Sequence, residues 1–391
     1  MLTILSNAKV FAPESLGVRH VLVGGGEILQ ISDSPIRIDG AAVVECNGQA
    51  LVPGLIDGHA HPTGGGGESG FRSRVPAPVL TSYTSAGVTT VVGVLGTDDT
   101  ARDTRSLLAH TYALREEGLG AYCHTGGYHL PPTTLTGSVR DDIVFLDPVI
   151  GVGEIAISDH RSSQPTLAEI LRVASDAHVA GLMTGKAGIL HLHLGDGERG
   201  LSMIRDALKN SELPARVFNP THVNRRKGLF TEAVSLAVDA GCYVDVTAFP
   251  VGPEEDAWPA AKAITLYLEA GGPKGKITVS SDGGGCLPVF DDNGVMLHMD
   301  IGDSAALLET LAELVNSGMA LEDVLPFFTS NVADLLRLTY RGRIAPGCSA
   351  DLVLLNEECR VESVMVAGRW HILDGTAVIR GQFETAQLEK N

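Results

Sequence analysis

Two rhythms of apolar and polar residues follow one another along this chain. The first fifty residues set short β-type runs against turns: Leu2–Leu5, Val21–Val23, Leu29 with Ile28 and Ile31, and Ala42–Val44. Such runs between turn residues predict a small β unit. From Leu51 the runs become continuously apolar and rich in β-branched residues, and longer amphipathic stretches separate them. Eight strands are expected: Leu51–His61, Thr89–Leu95, Gly120–Thr125, Ile150–Ile157, Ile189–Leu194, Arg216–His222, Cys242–Ala248 and Lys276–Asp282. Helical segments lie between most of them, among them Arg102–Glu117, Thr166–Ala180, Thr231–Ala240 and Pro259–Ala270. Eight parallel strand-helix units are what an α/β fold of the (β/α)8 TIM-barrel type requires.

Two further helices, Ser304–Ser317 and Leu321–Leu338, are expected after the eighth strand. The chain then returns to β character at Ala350–Leu355, Val361–Val366 and Arg369–Leu373. These segments are expected to rejoin the N-terminal strands in a small discontinuous β-sandwich domain. Residues 1–50 and 344–391 would form it, and residues 51–343 would form the barrel.

Composition narrows the function classes. At 391 residues, with 44% hydrophobic and 19% charged residues, the chain reads as a globular protein with a large core. A formal net charge of −18 argues against nucleic acid and anionic membranes as partners. Any anionic substrate must be held by locally placed arginines. The six scattered cysteines form no CxxC pair, and residues 1–20 lack the basic-then-apolar order of a signal peptide. A cytoplasmic address is expected.

The most informative stretch is Gly54-Leu55-Ile56-Asp57-Gly58-His59-Ala60-His61. A strand has period two, so His59 and His61 share a face and make half of a divalent metal site. In a barrel, chemistry sits at the C-terminal ends of the strands. The polar residues falling there are Tyr128 after strand three, Glu154 and Arg161 on and after strand four, His191 and His193 on strand five, His222 after strand six and Asp282 at the end of strand eight. Nitrogen and oxygen ligands without thiolate suit zinc, with manganese, cobalt or iron as alternatives. His193, nearer its strand end, is the expected ligand, whereas His191 reads as a supporting or structural residue.

His59-Ala60-His61, His193, His222 and Asp282 in this arrangement resemble the amidohydrolase superfamily. Within it, the segments from His61 to Glu68, Thr125 to His129, Ala156 to Arg161 and Thr221 to Arg225 resemble isoaspartyl dipeptidase, and the likeness covers essentially the whole chain. The resemblance implies a homo-oligomer with two divalent ions, zinc first among them. One ion would be held by His59, His61 and Asp282, and the other by His193 and His222. A strand-four carboxylate and a hydroxide would bridge them. That carboxylate is usually a carboxylated lysine, and here Glu154 stands in its place.

The resemblance further implies hydrolysis of β-aspartyl dipeptides, with Asp282 as general base and then general acid, and Tyr128 polarising the carbonyl. Glu68 would take the substrate ammonium, Arg161 and Arg225 its carboxylates, and Gly66, Gly67 and Thr97 would line the same pocket. Cys286 replaces the serine that the family offers to the substrate. Two other readings keep different chemistry: a cyclic amidase or N-acyl-amino-acid deacylase, and a metal-free barrel scaffold. Glu68 separates the first from a dipeptidase, because only a free α-ammonium needs a carboxylate.

Overall fold

Nine consecutive buried residues, Val149–Ile157, form the central strand of a parallel sheet. Burial on both faces explains why this segment is apolar without alternation. The structure, a computed structural model, describes residues 2–290 and 296–384. Five strands open the chain: β1 (Leu2–Phe11), β2 (Ser15–Gly24), β3 (Glu27–Ser32), β4 (Ala42–Glu45) and β5 (Ala50–Pro53). Six parallel strands follow: β6 (Leu55–Ala60), β7 (Val88–Gly93), β8 (Gly120–Thr125), β9 (Val149–Ile157), β10 (Leu190–Leu194) and β11 (Phe218–Thr221). They lie side by side in sequence order, with helices such as Thr104–Glu116, Leu167–Thr184 and Ser202–Lys209 between them.

A parallel pair, β12 (Val244–Thr247) and β13 (Ile277–Ser280), continues the series. Buried carboxylates stitch this pair to its neighbours. Asp245 on β12 accepts from Thr221 (2.7 Å), Thr278 (2.6 Å) and Ser280 (2.5 Å). Asp57 on β6 accepts from the Ser281 amide at 3.1 Å and from its hydroxyl. Main-chain bonds from Asp282 N to His59 O (3.1 Å) and from His61 N to Gly283 O (2.8 Å) join the end of β13 to that of β6. The helix Ser330–Leu336 plugs the opposite end, packing Val332, Leu335 and Leu336 against Ile56, Val92 and Ile189.

The expected first strand, Leu51–His61, is two strands. It breaks at Gly54, whose α-carbon lies so close to Thr89 that a β-carbon would meet its hydroxyl at 2.1 Å. β5 therefore leaves the parallel sheet and pairs with β1 and with β16 (Leu352–Leu355). The latter leads on to β17 (Val361–Val366), β18 (Arg369–Leu373) and β19 (Thr376–Ala377). The N-terminal and C-terminal strands thus share one nine-stranded sheet. It encloses a core of Leu5, Val21, Ile28, Leu51, Leu352 and Met365. Residues 385–391 of the expected C-terminal segment lie outside the described residues.

Two other differences have local causes. The expected helix Leu321–Leu338 is broken into Leu321–Val324, a 3-10 turn Leu325–Phe328 and Ser330–Leu336. Pro326 lacks the N–H that would continue it. An antiparallel hairpin of β14 (Cys286–Phe290) and β15 (Met296–Ile301) stands between β13 and the next helix, where no strand was expected. Among the described residues no helix is long and apolar enough to cross a membrane.

Candidate active site

Every expected metal ligand sits at the same end of the parallel strands and is almost wholly buried. His59 is the penultimate residue of β6 and His61 follows the strand; His193 lies on β10, His222 follows β11, and Asp282 follows β13. His222 (φ 60°) and Asp282 (φ 54°) both hold the left-handed backbone that non-glycine residues avoid. Such conformations cost on the order of 1–3 kcal/mol and cluster at functional sites.

Glu154 stands at the centre. Its Oε1 is 3.6 Å from Nε2 of both His59 and His61. Its Oε2 is 3.0 Å from His193 Nδ1 and 3.5 Å from His222 Nε2. One carboxylate thus faces two pairs of imidazoles, one pair per oxygen. Asp282 Oδ1 is 2.9 Å from His61 Nε2 and 3.5 Å from His59 Nε2. Within this cluster two ligand groupings have donor atoms within 4.8 Å of one another, His59, His61 and Asp282, and His59, Glu154 and His222; a third such grouping, Asp159, His160 and Asp196, lies outside it. His193 belongs to neither; its Nε2 lies 3.0 Å from Asp159 Oδ2.

The expected substrate residues form the adjoining wall. Glu68 accepts from Thr97 Oγ1 (2.9 Å), Arg161 NH1 (3.2 Å) and the Cys286 thiol (3.2 Å). Arg225 reaches the Leu194 carbonyl at 3.4 Å beside His193. The Tyr128 hydroxyl lies 2.8 Å from His193 Nδ1. Gly66 lines the cleft, and a β-carbon there would strike the Ser73 carbonyl at 2.5 Å. Gly67 lies between Gly66 and Glu68, and a β-carbon there would meet Arg74 at 3.7 Å and Asp98 at 3.8 Å.

Residues 50–371 match the Amidohydrolase family. The solved structure of a beta-aspartyl dipeptidase from Fervidobacterium islandicum AW-1, in complex with a beta-Asp-Leu dipeptide, is 39% identical. It covers 100% of this chain and 99% of its own, with a TM-score of 0.92. The chain belongs to the amidohydrolase family, in its beta-aspartyl dipeptidase branch. More distant relatives of this amidohydrolase include an N-acetylglucosamine-6-phosphate deacetylase of Lysinibacillus sphaericus, 24% identical over 88% of this chain and 91% of that protein. A dihydroorotase of Anaplasma phagocytophilum is 25% identical over 90% and 85%.

Charge states in the amidohydrolase site favour cation binding. Burial raises the carboxyls of Glu154 and Asp282, but the surrounding imidazoles outweigh it and hold both well below the usual carboxylate range. Burial lowers His222 to about 3, leaving it neutral with a free lone pair. Burial also lowers His59, yet Glu154 and Asp282 carry it up to about 9, so a metal must displace a proton there. His59 Nε2 and Asp282 Oδ1 are buried without a hydrogen-bond partner. Native proteins rarely leave such atoms unsatisfied, and this nitrogen–oxygen set fits divalent ions.

Four functional residues were missed in the sequence. Asp159 orients His193 and clamps Arg161 NH2 at 2.7 Å. Asn219 and Thr247 bond the Nδ1 atoms of His191 and His222, each at 2.7 Å. Asp57 ties the two ends of the strand series together. Asp159 and Asp57 carried a signal, one lying two residues before Arg161 and the other two residues before His59, in segments already singled out. The Cys286 thiol is raised by burial and by Glu68, so it stays protonated and is no nucleophile.

Proposed function

We propose that this amidohydrolase is a metal-dependent β-aspartyl dipeptidase. The observation that carries the reading is Glu68, a largely buried carboxylate in the cleft, ringed by Thr97, Arg161 and Cys286. A β-aspartyl dipeptide has a free α-ammonium to place against it, whereas a cyclic amide or an N-acyl amino acid has none. The relative that binds beta-Asp-Leu supports the same choice. His59, His61 and Asp282 would hold one divalent ion, and His193 and His222 another, with Glu154 between them. Zinc fits this donor set best.

Ions so held supply Lewis acidity, lowering the pKa of water and polarising a carbonyl oxygen. The chain does the rest. Asp282, held ionised, takes a proton from the attacking water and passes it to the departing amine. Burial and Glu154 raise Tyr128 well above the usual phenol range, so its hydroxyl keeps a proton to donate to the developing oxyanion. Arg161 and Arg225 hold the two carboxylates of the substrate.

The same reading closes the parallel strands into a (β/α)8 barrel over residues 51–343, with 1–50 and 344–391 as the flanking β domain. The Asp245 and Asp57 bonds across the β11–β12 and β13–β6 seams support closure. Six unpaired cysteines support a cytoplasmic address.

Hydrolysis of β-Asp-Leu, α-Asp-Leu and N-acetyl-leucine by zinc-loaded and metal-stripped protein tests the reading. Zinc-dependent cleavage of the β-linked peptide alone supports it. Failure to cleave that peptide with the metal site filled overturns it.

A further inference from the structure

A cavity of about 370 Å³ opens beyond the catalytic cleft. Cleft and cavity share Arg161, His222, Arg225, Asp282 and Pro288. Glu68, Thr97 and Tyr128 line only the cleft, and Phe249, Leu287 and Val289 line only the cavity. This order fixes a direction. A substrate with its ammonium at Glu68 and its scissile amide beside Asp282 continues past Arg225 into the cavity. The side chain that enters is that of the leaving amino acid.

The walls are apolar near the cleft and acidic at the mouth. In the hairpin, Leu287 pairs with Asp300 and Val289 with His298, so the period of two puts all four on one face. That face lines the cavity. Opposite it, Phe249 and Pro250 lead from β12 to Glu254, Glu255 and Asp256. Among the described residues, the carboxylates of Glu254, Glu255, Asp256 and Asp300 make no ion pair. Arg226, also in the lining, donates instead to the Asp196 and Gly197 carbonyls at 2.9 and 2.7 Å. Arg225 faces the cleft, where the leaving residue's own carboxylate would meet it.

We infer that this cavity is the subsite for the leaving residue and selects a side chain with an apolar stem and a cationic end, arginine or lysine, over an acidic one. The inference rests on the dipeptidase reading. An aliphatic stem of three or four carbons suits the Phe249–Leu287–Val289 surface, and its charged head reaches the acidic mouth. Each exposed charge pair is weak, so the selection is limited to about tenfold and depends on salt.

The test compares kcat/KM of the zinc-loaded enzyme for β-Asp-Arg, β-Asp-Leu and β-Asp-Glu. At low ionic strength β-Asp-Arg is expected to exceed β-Asp-Glu by about tenfold, and this ratio to shrink several-fold in about 0.5 M salt. In the Glu254→Gln/Glu255→Gln variant the low-salt ratio is expected to fall toward unity. Equal rates for β-Asp-Arg and β-Asp-Glu, or a ratio that ignores both salt and the variant, overturn the inference while leaving the dipeptidase reading intact. If none of the three peptides is cleaved, the dipeptidase reading falls and takes this inference with it.

Discussion

His59 Nδ1 and His191 Nε2 lie 2.8 Å apart on the buried floor of the site. His191 Nδ1 is in turn 2.7 Å from Asn219 Oδ1. Burial holds His191 neutral, so it has one N–H, which it gives to the Asn219 carbonyl oxygen. Its Nε2 then accepts the Nδ1 proton of His59. That fixes the Nδ1 proton of His59 and turns Nε2, the nitrogen whose proton a metal must displace, toward Asp282 and Glu154. His191 is therefore a positioning residue for His59, the proposed metal ligand.

Replacing His191 with Phe keeps much of the bulk and removes the acceptor. Metal affinity, measured by competition with a chelator, is expected to fall about 10–100-fold. An unchanged affinity in a folded variant would mean that His191 only fills space.

Glu154→Gln keeps the shape and removes the charge that faces both imidazole pairs. The metal content is expected to drop from two ions per chain toward one or none, and activity by at least about a hundredfold. Two tightly bound ions in the variant, counted by elemental analysis, would show that this charge is dispensable.

Tyr128→Phe removes the hydroxyl beside His193. Loss of one oxyanion donor predicts a kcat lower by about a hundredfold with KM little changed. A rise in KM alone would make Tyr128 a binding residue rather than a donor to the reacting oxygen.

His371 in β18 is buried with both ring nitrogens unpartnered, and burial lowers its pKa from 6.5 to about 4. Above 6.5 it is neutral folded or unfolded and contributes no pH dependence. As pH falls through 6.5 the unfolded chain takes up a proton that the folded chain refuses until about 4, so stability declines across that window. Denaturation midpoints measured over this range should fall less steeply for His371→Phe than for the parent. Identical slopes would remove His371 as a cause.

Much of the fold was legible because burial on both faces leaves its mark on composition. β8 and β9 fall where continuous apolar runs predicted them. The expected ligands were legible for a related reason: a strand end that carries His59 and His61 on one face needs no distant information to be suspect. Cys286 and Arg161 could be named, but their contacts with Glu68, 218 and 93 residues away, could not be read from order along the chain.

What the sequence by itself determined was the succession of strands and helices, the side chains at the strand ends and the family they resemble, because period and residue type are local properties. The tertiary structure alone decided that Gly54 divides one apolar run between two sheets, since only there does Thr89 crowd its α-carbon. It alone decided that Asp159, Asn219 and Thr247 orient the histidines, and that a hairpin face walls the outer cavity. Those contacts join residues far apart in the chain, and their partners exist only once the strands lie side by side.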